Sequence, residues 1–281
     1  MKLVRYGAPG KEKPGVLDAN GRIRSLAKKV KDITPDVLAP ASLAKLRKIN
    51  PEKLPLVAGK PRLGVPFTGI SKIVAVGLNY SDHAKEAGLA IPKEPVLFTK
   101  HITSLNGPND KVKLPPGAVK GDWECELGIV IGRKAQYVKE EDALKYVAGY
   151  VLVNDVSERE YQIERGGQWT KGKSCDTFCP TGPWLVTTDE IKDPQTLKMW
   201  LKVNGETKQN SSTAQMIFGV KTLVSYISRF ITLMPGDLIP TGTPPGVGLG
   251  HKPTPVFLKP GDVMELGMDG LGTQRQQVVG G

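Results

Sequence analysis

Glycine and proline interrupt this chain from end to end. There are 32 of the first and 23 of the second in 281 residues, about a fifth of all positions, against roughly 12% in an average protein. Punctuation at that density leaves little room for long helices and suits many short strands joined by tight turns. Ile73–Gly77, Val96–Thr99, Leu127–Ile131 and Tyr150–Val153 read as strands, and Thr222–Ser228 as a helix with Val224, Ile227 and Ile231 on one face. Glu140–Val147 has an amphipathic helical pattern, and Ser81–Gly88 reads as a helix capped by Ser81 or Asp82. The expected class is α+β with β dominant, and a doubly wound sheet is excluded.

Charge divides the chain in two. Residues 1–67 carry 15 Lys/Arg and 5 Asp/Glu, whereas residues 68–281 carry 24 and 23. The formal net charge of +11 therefore belongs almost wholly to a leader. Its strands Lys2–Tyr6, Gly15–Leu17 and Arg22–Leu26 and short helix Ala41–Lys48 read as a small β-rich domain over residues 1–67. The catalytic candidate is residues 68–281. The basic leader lacks a nucleic-acid-binding module and has no aromatic interleaving, so a solvated face is preferred to a polyanion site. No apolar run reaches the length of a membrane span, the N-terminus lacks a signal-peptide core, and three cysteines make no disulfide framework. A cytoplasmic protein with no membrane or nucleic-acid partner is expected.

The densest chemical signal is Asp122-Trp123-Glu124-Cys125-Glu126, which runs into an apolar strand. Residues i and i+2 of a strand share a face, so Glu124 and Glu126 should project together and Cys125 away from them. Asp155 follows a second apolar strand. Three carboxylates without His or Cys at metal spacing favour a hard ion, Mg²⁺ or Mn²⁺, over zinc; an exposed acidic strand start flanked by Lys120 and Arg133 accounts for the same residues. His83 and Glu86 lie at helical i, i+3 spacing, which fits either a water-activating dyad or a surface pair. Arg159, Gln162 and Lys173 follow Asp155 and suit a carboxylate clamp and an enolate donor, or ordinary surface positions. Gly242–Gly250 has the glycines of a backbone anion cradle but lacks a Rossmann fingerprint. His101 and His251 sit in no motif, and the three cysteines read as structural thiols.

In order, the segments Gly77–Glu86, Pro95–Lys100, Asp122–Leu127, Asn154–Arg159, Trp169–Ser174 and Pro235–Pro244 resemble the fumarylacetoacetate hydrolase family over nearly all of residues 71–281. The resemblance implies a mixed β-roll or distorted barrel of the fumarylacetoacetase C-terminal type, usually a homodimer. It implies Mg²⁺ or Mn²⁺ on Glu124, Glu126 and Asp155, and a catalytic His83–Glu86 dyad with Lys173. Substrate contacts would fall on Arg159, Gln162, Thr243 and Lys100, the last followed by His101 where the family often has proline. The implied reaction is hydrolysis of a C–C bond in an anionic 2,4-diketo acid, giving pyruvate. The leader is similar to that of bacterial diketo sugar-acid hydrolases and ureidoglycolate lyases. It points to a 2,4-diketo-3-deoxy rhamnonate or fuconate cleaved to pyruvate and a hydroxy acid such as lactate. Oxaloacetate decarboxylation and ureidoglycolate cleavage are the alternatives.

Overall fold

A computed structural model describes residues 1–82 and 91–281. Its backbone is dominated by two sheets. The larger has nine strands in the order Ile23–Ser25, Lys13–Leu17, Lys2–Tyr6, Leu185–Thr187, Val147–Asn154, Cys125–Ile131, Leu238–Pro240, Ile73–Gly77, Val96–Lys100. All neighbours are antiparallel except Leu238–Pro240 with Ile73–Gly77. The smaller runs Glu206–Ser212, Lys198–Val203, Val263–Met268, Gly272–Gly280, Val112–Leu114. The expected β-dominated α+β architecture is what the chain adopts.

Strand alternation distributes the core. Cys125, Leu127, Ile129 and Ile131 enter the larger apolar cluster, where they join Met199, Leu201 and Leu266 from the smaller sheet and the helical Leu223 and Ile227. On the opposite face, Val130 joins a second cluster with Val151, Val153, Leu3, Val16 and Leu238. Leader and body thus share one sheet and one of the two cores.

Other expectations are adjusted locally. Glu140–Tyr146 is a 3₁₀ helix where an amphipathic α-helix was expected. The chain enters a strand at Val147, and the tighter 3.0-residue turn stacks Asp142 under Lys145 at 2.5 Å. The helix expected at Thr222–Ser228 extends over Val220–Phe230. The hairpin Lys198–Val203/Glu206–Ser212 was absent from the sequence expectations. It turns on Asn204 and Gly205, both at positive φ, the conformation that favours Asn-Gly in a two-residue turn. Of the expected helix Ser81–Gly88, only Ser81 and Asp82 lie within the described residues.

The leader's charge resolves by residue type. All five of its arginines pair with carboxylates: Arg5 with Asp32, Arg22 and Arg24 with Asp18, Arg47 with Asp189, Arg62 with Asp110. Among the described residues its lysines form no such pairs, so the excess charge is carried by lysine. Asp18 is the hub. Burial pushes its carboxyl up, but the Arg22 and Asn20 amides and the Arg24 and Arg22 guanidinium groups outweigh burial and hold it at about 2. An unfolded Asp titrates near 3.9, so this contribution to stability is present above about pH 4 and is lost as pH falls toward 2. Asp18→Asn should therefore lower the melting temperature at pH 7 and narrow the difference between pH 6 and pH 3. Thermal melts at these pH values check this, and a pH dependence identical to wild type would refute it.

Candidate active site

Glu124, Glu126 and Asp155 come together at the ends of two paired strands. Asp155 N donates to Glu124 O at 2.9 Å, and Glu124 N donates to Asn154 Oδ1 at 3.2 Å. This ties the end of one strand to the approach of the other. One carboxylate oxygen from each of the three lies within 4.8 Å of the others, and all three residues are buried. Cys125 points the other way into the core, as alternation requires.

Three cations compensate these acids. Lys173 Nζ donates to Glu124 Oε2 at 2.7 Å and Asp155 Oδ2 at 2.9 Å. Arg159 donates from Nη2 to Glu124 Oε1 at 2.7 Å, from Nε to Asp122 Oδ2 at 2.8 Å, and from Nη1 to Gln162 Oε1 at 2.9 Å. Lys100 Nζ donates to Asp155 Oδ1 at 2.5 Å and to the carbonyls of Val156 and Lys173. Burial pushes the Glu124 carboxyl up, yet Lys173 and Arg159 outweigh it and hold it at about 2. Glu126 is treated differently. Its Oε2 accepts from Gly242 N at 2.9 Å, and burial followed by repulsion from Asp155 and Glu124 raises its carboxyl well above the usual range. A buried all-oxygen set in which one acid, among the described residues, has no ion-pair partner fits a hard divalent cation.

Glu124 and Glu126 open on a cavity of about 430 Å³. Arg159, Gln162, Lys173 and Thr243 line it beside Glu124 and Glu126. Lys100 is 2% exposed and stands behind Asp155, outside that lining; its geometry is that of a positioning residue. His101 N donates to Ser174 Oγ at 3.0 Å, a bond that proline, lacking an N–H, could not make. Thr243 Oγ1 donates to Cys125 O at 3.0 Å and accepts from Gln209 Nε2 at 2.8 Å. His83 and Glu86 lie outside the described residues.

The glycine-rich loop does bind carboxyl groups through its backbone, but they belong to the chain. Gly242 N donates to Glu126, and Gly248 N and Leu249 N donate to Asp122 at 2.6 and 3.0 Å. The expected cradle for an incoming anion is thus filled by Glu126 and Asp122. A Cβ on Gly248 would meet Asp122 Oδ1 at 2.8 Å and Val256 O at 2.0 Å, so only glycine allows this approach.

Residues 72–279 match the family profile described as fumarylacetoacetate (FAA) hydrolase C-terminal. The chain belongs to the fumarylacetoacetate hydrolase family. A Burkholderia cenocepacia relative, named as a hydrolase without a stated substrate, is 59% identical over 276 residues, covering 98% of each chain. The solved fumarylacetoacetate hydrolase of Exiguobacterium antarcticum is 36% identical with a TM-score of 0.87, covering 100% of both chains. The maleylpyruvate hydrolase of Sphingobium sp. SYK-6, solved with manganese(II) and pyruvate, is 29% identical with a TM-score of 0.82, also covering 100% of both.

Within this fumarylacetoacetate hydrolase family member, sequence reasoning missed Asp122, Phe98 and Trp169. Asp122 joins the glycine loop to Arg159. Trp169 lies tilted against Phe98, with ring centroids 5.3 Å apart and planes at 58°, and both line the cavity. A Cβ on Gly77 would come within 2.5 Å of the Trp169 ring. Glycine at the strand end was the available signal for a ring packed against it. Among the described residues no helix is long and apolar enough to cross a membrane.

Proposed function

We propose that the protein is a divalent-metal-dependent hydrolase cleaving the C3–C4 bond of a 2,4-diketo acid to pyruvate and a carboxylic acid. The observation that carries this reading is the buried set Glu124, Glu126 and Asp155, paired with lysine and arginine, of which Glu124 and Glu126 line a cavity. The manganese and pyruvate in the Sphingobium maleylpyruvate hydrolase support it. Mg²⁺ or Mn²⁺ held by these three residues would supply Lewis-acid stabilisation of enolate charge.

The chain's own residues are assigned the remaining work. Arg159, with N–H donors beyond those committed to Asp122, Glu124 and Gln162, orients the substrate carboxylate together with Gln162. Burial pushes the Lys173 ammonium down, but Asp155 and Glu124 outweigh it and keep it charged, ready to donate toward the oxygen on C2. His83, oriented by Glu86, removes a proton from water, and the water oxygen adds to C4. These two roles rest on the family resemblance. The C3–C4 electron pair then passes to the pyruvate enolate, protonation at C3 releases pyruvate, and C4 departs as the carboxylic acid. One water is consumed.

Incubating the protein with acylpyruvates, a 2,4-diketo-3-deoxy sugar acid, oxaloacetate and ureidoglycolate, with Mg²⁺ or Mn²⁺ and with EDTA, tests this. Pyruvate should form from a diketo acid and cease with EDTA. Pyruvate from oxaloacetate alone, or glyoxylate from ureidoglycolate alone, would replace hydrolysis by the decarboxylase or lyase reading. A homodimer is the assembly proposed, to be checked by light scattering.

A further inference from the structure

Two peptide planes join Glu124 to Glu126, and both are pinned. Cys125 N, in the first, donates to Gln209 Oε1 at 2.9 Å, and Cys125 O, in the second, accepts from Thr243 Oγ1 at 3.0 Å. Gln209 Nε2 closes the ring by donating to Thr243 Oγ1 at 2.8 Å, and it also donates to Pro244 O at 2.9 Å. The carboxamide thus uses its oxygen and both N–H groups. Among the described residues, none of its hydrogen bonds goes to Glu124, Glu126 or Asp155.

An irregular strand of the smaller sheet delivers this side chain. Gln209 is the one buried residue of Glu206–Ser212. It pairs with Leu201, but Lys202 pairs with Thr207, so Lys208 forms a bulge, a device that re-aims the side chain beside it. The glycine loop seats on that bulge. A Cβ on Gly246, at φ +98°, would meet Lys208 O at 1.8 Å, so the loop comes this close only because glycine stands there. Strand, bulge and loop therefore meet at one buried amide, which is costly unless all its groups are paired. Here the pairing also restrains the backbone between two carboxylates whose oxygens lie within 4.8 Å of each other. Like charges at that separation repel, and a looser backbone would let them part.

We propose that Gln209 is a positioning residue for the divalent cation: it fixes the backbone between Glu124 and Glu126 so that their carboxylates stay converged before the cation binds. The proposal rests on the metal reading above. Its test is calorimetric titration of the metal-free, full-length protein with Mn²⁺, well below the melting temperature. Gln209→Met keeps the shape without the hydrogen bonds and should weaken Mn²⁺ binding about 10–100-fold, the usual effect of losing a group that orients a ligand. Thr243→Val cuts the ring from the loop side and should weaken binding similarly. The double variant should bind no more weakly than the weaker single variant, because either cut opens the whole ring. Leu223→Ala, a core truncation in the helix Val220–Phe230, should lower Tm yet keep Mn²⁺ affinity within about twofold, as expected of a site outside the ring. Wild-type affinity in Gln209→Met, additive losses in the double variant, or an equal loss in Leu223→Ala overturns the proposal alone. Should Gln209→Met not fold, Thr243→Val decides by itself, and wild-type affinity there overturns the proposal. No Mn²⁺ binding by the wild type overturns the metal reading and the proposal with it.

Discussion

Glu126→Gln is expected to lower divalent-metal affinity by at least about a hundredfold and pyruvate formation by more than about a thousandfold. Glu124 and Asp155 each have lysine or arginine partners, whereas Glu126 has the Gly242 amide and two repelling acids beside it. It is the acid with the most to gain from a bound cation. An amide of the same shape removes that anionic ligand while relieving repulsion, so the EDTA-treated variant should melt no lower than wild type. Calorimetric titration with Mn²⁺ and thermal melts check both parts, and wild-type Mn²⁺ affinity would remove Glu126 from the ligand set. His83→Gln should cost less, about 10²–10⁴-fold in rate, the usual contribution of a general base. Full retention of activity in that variant would favour decarboxylation.

Asp122→Ala should have the largest effect on stability. Its two oxygens accept from Trp123 N and Gly248 N on one side and from Leu249 N and Arg159 Nε on the other. Truncation leaves the buried Arg159 with one anion fewer and two loop amides without their acceptor. Removing one partner of a buried pair costs about 3–5 kcal/mol, or roughly a 10 °C fall in Tm at this chain length. Asp122→Asn preserves the volume but replaces one acceptor by a donor, so it should recover part of the Tm. The KM for a diketo acid should still rise about tenfold, because Arg159 and the loop lose their common tether. Unchanged Tm and KM in both variants would exclude this positioning role.

The pairing of Glu124 with Glu126 was legible because it is local: the period of a strand places them on one face. Asp155 could be added because it ends another apolar strand. Asp122 could not be read in the same way. Its decisive partners are Arg159 and the amides of Gly248 and Leu249, 37, 126 and 127 positions away, and no spacing encodes such contacts. The same distance explains the glycine loop, whose backbone donors were apparent while the acids that fill them were not. Lys100 read as a substrate contact because its partner Asp155 is 55 positions along. Asn204-Gly205 is a contrasting case, a strong hairpin signal that was present in the sequence and passed over.

The strand Lys2–Tyr6 meets its second neighbour only at Leu185–Thr187. During synthesis, at about 5–20 residues per second, that neighbour emerges roughly 10–35 s after the first strand. Until then one edge of the nascent leader is unpaired and open to other chains.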